Sequence, residues 1–359
     1  MEALLYRPLE NRAVRCELCA HQCKILPGQR GLCQVRENRD GNLISLVYGR
    51  LIAQHVDPIE KKPLFHLLPD SRAYSIATVG CNFSCRFCQN ADIAQMPSDH
   101  QGAIVGRPVT PEAVVADARA KACASIAYTY TEPTVFFEFS LDVARQAHTA
   151  GLRNIFVTNG YMSAKALDML LPVLDAANVD LKAFTERFYW KITGGHLQNV
   201  LETLEYLKKE TSVWFELTTL LIPGENDSSE ELDKMTRWVV ATLGPDVPMH
   251  FTAFHPDWKM LDTPPTQPAT LTRARSIAMQ NGVRYAYTGN VHDSEGGSTW
   301  CHHCGGLLIE RDWYELGRWG LDAHGKCAKC GTALPGVFEA KPGTWGARRL
   351  PVRMAAYAD

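Results

Sequence analysis

AYSIATVGCNFSCRFCQN, residues 73–90, runs from an apolar, β-branched stretch straight into three cysteines within eight residues, Cys81, Cys85 and Cys88. The stretch at 73–80 reads as a buried strand. Six similar runs follow it: SIAYTYTE (125–132), NIFVTNG (154–160), NVDLKAF (178–184), VWFELTTLLIPG (213–224), MHFTAFHP (249–256) and RYAYTGNV (284–291). Helical segments separate them. In HLQNVLETLEYLKKE, Leu197, Val200, Leu201, Leu204 and Leu207 recur at helical spacing. PEAVVADARAKA, TVFFEFSLDVARQAHTAG and TLTRARSIAMQNG also read as helices. Strand–helix alternation predicts a parallel sheet with right-handed crossovers. The number of units suits an α/β fold, a partial (β/α)6-type TIM barrel. In such a fold the C-terminal strand ends carry the active site. Polar residues cluster at those ends: Thr131-Glu132-Pro133, Thr158-Asn159-Gly160, Asp180-Leu181-Lys182, His255-Pro256 and Thr288-Gly289-Asn290.

Formal net charge is −2, which offers no basic field for nucleic acid or anionic lipid. The N-terminus, MEALLYRPLENR, lacks the basic-then-apolar pattern of a secretory signal, and no apolar run approaches the roughly 20 residues that cross a bilayer. A soluble, cytoplasmic protein is expected, without membrane or nucleic-acid partners. Four regions are expected: a Cys-rich metal-binding segment at 1–65, a barrel core at 66–295, a four-Cys zinc ribbon at 296–338 and a tail at 339–359.

The chain has twelve cysteines. With no export signal, metal or redox use is favoured over disulfides. Cys16, Cys19, Cys23 and Cys33 form one set, with turn signals at Pro27-Gly28 and Gly31. Four thiolates there suit zinc or a second iron–sulfur cluster. Cys301, Cys304, Cys327 and Cys330 form two C-x-x-C-G knuckles that suit tetrahedral zinc, with rubredoxin-like iron as the alternative. Cys123 stands alone and reads as a small buried hydrophobe. The middle set supplies only three thiolates, whereas iron–sulfur clusters bound by protein alone usually take four. Three thiolates around one cubane leave an iron open, and an open metal position is where chemistry happens. The competing reading is zinc completed by a distant fourth ligand, with His100 and Cys123 as candidates.

CNFSCRFC, with Phe87 before its last cysteine, resembles the signature of the radical S-adenosylmethionine (SAM) superfamily. Asn90, the DLK of Asp180 to Lys182 and LIPGEND (221–227) resemble the branch containing activases of glycyl-radical enzymes. CELCAHQCKILPGQRGLCQVR (16–36), TYTEPTVFFEF (129–139), YTGNV (287–291) and the terminal CHHCGG and CAKCG together resemble the AmmeMemoRadiSam system radical SAM enzymes, over nearly the whole chain to about residue 338.

The resemblance implies a 4Fe–4S cluster on Cys81, Cys85 and Cys88, with SAM chelating the open iron. An electron from a strongly reducing donor of flavodoxin or ferredoxin type then splits SAM into methionine and a 5′-deoxyadenosyl radical. That radical takes hydrogen from a small-molecule or protein substrate. It further implies SAM contacts. Glu132 would accept a hydrogen bond from the ammonium, although Thr131-Glu132-Pro133 replaces the superfamily's usual Gly-Gly-Glu; the other reading is a solvated strand-end carboxylate. Asn159 would bind ribose hydroxyls or simply make a turn. Lys182 would meet the SAM carboxylate, with Asp180 fixing it or reaching the ribose; a mutual salt bridge is the alternative. The adenine would rest near Phe87 and late-strand backbone such as that of YTGNV (287–291); a buried aromatic is the other reading of Phe87, and Asn90 is a further cofactor-binding candidate. His255, followed by Asp257 and Trp258, and His292 are candidates for the substrate cavity. A non-catalytic metal scaffold or electron-transfer protein is the competing class, and it requires a fourth ligand beside the three cysteines.

Overall fold

The computed structural model describes residues 1–352. Seven strands run parallel in chain order: β1 (Arg72–Ala77), β2 (Ser125–Tyr128), β3 (Arg153–Thr158), β4 (Ala176–Asp180), β5 (Trp214–Leu221), β6 (Met249–Ala253) and β7 (Ala286–Gly289). Each is almost wholly buried. Parallel strands covered on both faces read as continuous apolar runs, which is why the sequence displayed them. Six helices cross between consecutive strands: α1 (Pro111–Ala120), α2 (Phe137–Thr149), α3 (Ala164–Leu170), α4 (Leu197–Glu210), α5 (Ser229–Trp238) and α6 (Pro268–Gln280). Thr110, Ser163 and Ser228 cap α1, α3 and α5 by accepting from Ala113 N, Ala166 N and Glu231 N. The fold is thus α/β with a large parallel sheet. Beyond β1 the sheet gains two antiparallel strands, Ala53–Pro58 and then Leu350–Pro351. Residues 353–359 of the expected tail lie outside the described residues.

The N-terminal segment contributes a small antiparallel sheet (Tyr6–Pro8, Val14–Cys16, Lys24–Ile25) and a hairpin (Arg36–Arg39, Asn42–Ser45). The hairpin turns at Asp40-Gly41, both at positive φ, as a two-residue turn between twisted strands requires. The segment docks on α2 through a buried ion pair, Arg36 with Glu138; Glu138 also accepts from Leu4 N at 2.7 Å.

Near its N-terminal edge the sheet carries a buried polar network. Glu216 of β5 accepts from the backbone of Phe65 and His66 (3.0 and 2.8 Å) and pairs with His250 of β6 at 2.7 Å. His66 donates from Nδ1 to Pro335 O (2.7 Å) and accepts from Tyr287 of β7 at Nε2 (2.6 Å). Arg311, fully buried, donates to Thr299 and to Phe65 O at 2.7 and 2.8 Å, lies 4.0 Å from Glu60 and covers the Phe65 ring. This network joins the C-terminal antiparallel sheet (Thr299–Trp300, Leu307–Asp312, Glu315–Trp319) to the main one.

Two predictions follow from these buried groups. Arg311→Met leaves Glu60 unpaired in the interior and should lower the unfolding free energy by about 3–5 kcal/mol in urea titration. The second concerns acid. Burial holds His66 down at about 4. Burial works to raise Glu216, but His250 and His66 bring it down to about 2. Unfolded chains protonate histidine near 6.5 and glutamate near 4.5. The unfolded state takes up these protons first, so His66 costs stability as pH drops from about 6.5 to 4 and Glu216 from about 4.5 to 2. Burial raises Glu60 to about 7, which acts in the opposite direction between about 7 and 4.5. The expected outcome is therefore a difference: between about pH 6.5 and 4 the urea midpoint of His66→Gln should rise relative to that of the wild type.

Candidate active site

Cys81, Cys85 and Cys88 lie in the loop that leaves the C-terminal end of β1 and leads to the short helix Ala91–Ala94. That loop is held from outside. Ser84 N donates to Thr193 O at 2.8 Å, and Arg86 N donates to Ile192 O at 3.0 Å. The acceptors belong to a π-helical turn, Tyr189–Thr193, a conformation often found at functional sites. Gly194 and Gly195 follow it. A Cβ on Gly195 would stand 2.4 Å from the ring of Phe83, which is packed against Tyr161 and Tyr189. Gly80, at φ 98°, enters the loop where a Cβ would stand 2.5 Å from Val35 and 3.1 Å from Cys33 O.

Burial raises all three thiols. Cys81 goes well above the ordinary thiol range, with Glu132 adding to the effect. Cys85 is pushed up to about 12 although Lys182 pulls it down, and Cys88 is raised. In so dry a site a bound cation is what would convert the thiols to thiolates.

The strand ends converge on this loop. At the end of β2, Glu132 is only 3 % exposed, which removes the reading of a solvated carboxylate. Its Oε1 accepts from Thr134 N (3.1 Å), Thr134 Oγ1 (2.5 Å) and Thr158 Oγ1 (2.7 Å), and its Oε2 accepts from Asn159 N (2.8 Å). Asn159, at the end of β3, donates to Asn82 Oδ1 at 2.8 Å and accepts from Tyr161 N at 3.0 Å. It therefore ties β3 to the residue after Cys81. Beyond β4, Lys182 donates to Asp180 at 2.8 Å, so the salt bridge is present. Burial opposes the Lys182 charge, but Asp180 and Cys85 raise its pKa overall. Its ammonium sits 5.7 Å from the centre of the Phe87 ring.

Asn90 donates to Tyr130 O at 3.0 Å, and Gln89 meets the His255 ring at 3.1 Å. The segment beyond β6 closes on the same loop, with Lys259 N donating to Arg86 O at 3.0 Å. Gln89, Asp92, His100, Asp257 and Trp258 line an open pocket there. His292 is exposed, 3.3 Å from Asp312. Cys123 is corrected as a fourth-ligand candidate: it precedes β2, at the opposite end of the sheet from the cysteine loop.

Sequence reasoning missed Asn82, Tyr189 and the two glycines, Gly194 and Gly195. Only the Gly-Gly pair left a signal. The C-terminal cysteines form a separate site. All four sulfurs lie within 4.8 Å of one another, with Cys301–Cys330 at 3.6 Å and Cys304–Cys327 at 3.8 Å. The site sits beside the N-terminal end of β7, where Tyr285 bonds His302 at 2.9 Å. His302 is thus a neighbour of the sulfurs with its own partner.

Residues 75–238 match the model of the radical SAM superfamily. The chain is 43 % identical over 334 residues to the uncharacterized protein MJ0808 of Methanocaldococcus jannaschii, covering 93 % of this chain and 98 % of that one. It is 26 % identical over 259 residues to a GTP 3′,8-cyclase of Lactiplantibacillus plantarum, covering 65 % of this chain and 74 % of the relative. Among solved structures, a radical SAM methyltransferase from Sphaerobacter thermophilus shares the fold at TM-score 0.50 and 18 % identity, covering 67 % of this chain and 71 % of that one. Residues 75–238 thus form a radical SAM domain. Members of that superfamily are enzymes that cleave SAM with an iron–sulfur cluster. No helix among the described residues is long and apolar enough to cross a membrane.

Gly195→Ala should push Phe83 against the cysteine loop. Iron bound after anaerobic reconstitution should fall by about 10-fold or more, the scale seen when support around metal ligands is lost, while the far-ultraviolet circular dichroism stays unchanged.

Proposed function

We propose that this protein is a radical SAM enzyme in which Cys81, Cys85 and Cys88 hold a 4Fe–4S cluster and leave its fourth corner to SAM. One observation carries the reading. Three thiols, Cys85 buried and Cys81 and Cys88 partly so, share the loop that leaves β1, where the Lys182–Asp180 pair, Glu132 and Asn159 from the neighbouring strand ends meet it. When bound, the reduced cluster supplies the electron that cleaves SAM to methionine and a 5′-deoxyadenosyl radical, which takes hydrogen from substrate.

The chain's own residues then divide the binding. Lys182, fixed by Asp180 beside Cys85 and Phe87, offers the charge for the SAM carboxylate. Glu132 Oε2 has a single donor, Asn159 N, and keeps a lone pair for the ammonium. Asn159, engaged at both ends of its amide, positions Asn82, and Asp180 would fix Lys182 or reach the ribose. The Phe87 ring supports the adenine, and Asn90 fixes the loop behind it through Tyr130 O. His255, Asp257 and Trp258 frame the substrate mouth, where closing segments exclude water.

The sheet is read as a partial barrel, supported by the segment after Pro58: it reaches from the β1 edge to Glu216, His250 and Tyr287 on β5 to β7. The C-terminal site is read as zinc: its 3.6 and 3.8 Å separations match the roughly 3.8 Å of four thiolates around one tetrahedral ion, which supports zinc and rubredoxin-like iron alike, and the paired C-x-x-C-G knuckles favour zinc. Asn90 and Asp180-Leu181-Lys182 favour chemistry of the glycyl-radical activase kind on a protein partner. The additional cysteine sets favour the AmmeMemoRadiSam group and a small molecule or different peptide. The electron donor is of flavodoxin or ferredoxin type. Twelve free cysteines suit the reducing cytoplasm.

Anaerobic reconstitution, reduction and SAM addition should release 5′-deoxyadenosine, measured by liquid chromatography. Cys85→Ala should bring release down to the protein-free control while zinc content stays unchanged. Equal release from wild type and variant would remove the mechanism and leave a metal scaffold or electron-transfer protein.

A further inference from the structure

The N-terminal cysteines remain outside this account. Cys16, Cys19, Cys23 and Cys33 all line one internal cavity, together with Leu18, Ile25, Arg36 and Asn82. Two features of the cavity point to what it holds.

The first is spacing. The C-terminal set draws its sulfurs to the separations of a single tetrahedral ion. Among the described residues, no three of Cys16, Cys19, Cys23 and Cys33 come that close. Thiolates on the corners of a cubane stand farther apart than thiolates around one ion. The second feature is a pair of orphan donors. Arg36 is 1 % exposed and Asn82 5 % exposed, and both line the cavity. Arg36 Nε and Asn82 Nδ2 are buried without a hydrogen-bond partner. A buried N–H left unpaired costs about 1–3 kcal/mol, so an acceptor at this place is called for. Sulfide and thiolate sulfurs of an anionic cluster accept such bonds.

We infer that Cys16, Cys19, Cys23 and Cys33 ligate a second, fully coordinated iron–sulfur cluster, served by the Arg36 and Asn82 N–H groups. This cluster borders the catalytic loop. Asn82 follows Cys81 directly, its carbonyl meets the His21 ring at 2.7 Å, and Gly80 packs on Cys33 O. The cavity thus shares a wall with the three-cysteine loop, and the cluster relays one electron from a reduced flavodoxin or ferredoxin to the SAM-binding cluster. The relay role rests on the function proposed above; the site does not.

The test uses the full chain reconstituted anaerobically with iron and sulfide. The wild type should hold about eight iron and eight labile sulfide, and the triple variant Cys81→Ala/Cys85→Ala/Cys88→Ala about four of each, with an electron paramagnetic resonance signal after reduction. A triple variant that lacks sulfide, or that gains a second zinc, overturns the inference. Should that variant not fold, the wild type decides: two reduced signals are expected, only one of them altered by SAM. A single signal, wholly altered by SAM, overturns it. Sulfide retained in the triple variant, with no SAM effect on the wild type, keeps the N-terminal cluster and removes the catalytic reading.

Discussion

Residues 80–88 have no regular structure of their own, yet three of them must be presented together at a strand end. Their path is set by neighbours: Thr193 and Ile192 take the N–H groups of Ser84 and Arg86, and Gly195 leaves room for the Phe83 ring. A parallel sheet makes this economical. Its C-terminal edge brings the loops after β1, β2, β3, β4 and β6 to one place. The loop after β1 brings the three thiols and the others each add a few side chains, so no single segment has to carry the whole site.

The two ends of the sheet are built for different purposes. The C-terminal end gathers thiols raised by burial, a paired Lys182 and a Glu132 whose Oε2 has one donor. The N-terminal end gathers Glu216, His250, His66 and Arg311, held by partners from distant parts of the chain, with Arg311 Nε left without a hydrogen-bond partner. Such a network is costly when partly satisfied and specifying when complete. It fixes where the C-terminal cysteine module sits, at the far side from the three-cysteine loop.

The sheet was legible because β1 to β7 are buried on both faces and so appear as unbroken apolar runs. The strand Ala53–Pro58 was not. It contains Gln54, His55 and the buried Asp57, whose partners Lys62, Ser75 and Tyr130 are dispersed in sequence. Helices α3 and α5 passed unnoticed although Ser163 and the Ser228-to-Glu231 pattern mark their starts. At the site, residue type and strand-end position found Glu132, Asn159, Asp180 and Lys182. What they touch could not be read, because Glu132 meets Thr158 and Asn159 only once β2 and β3 lie side by side.

Gly80 links two regions that are 47 residues apart, Cys33 and itself. With no side chain to act as a spacer, any shift of the N-terminal turn is handed to Cys81 through rigid backbone. The two cysteine sets are therefore coupled mechanically: a change of shape at one has to be met by the other.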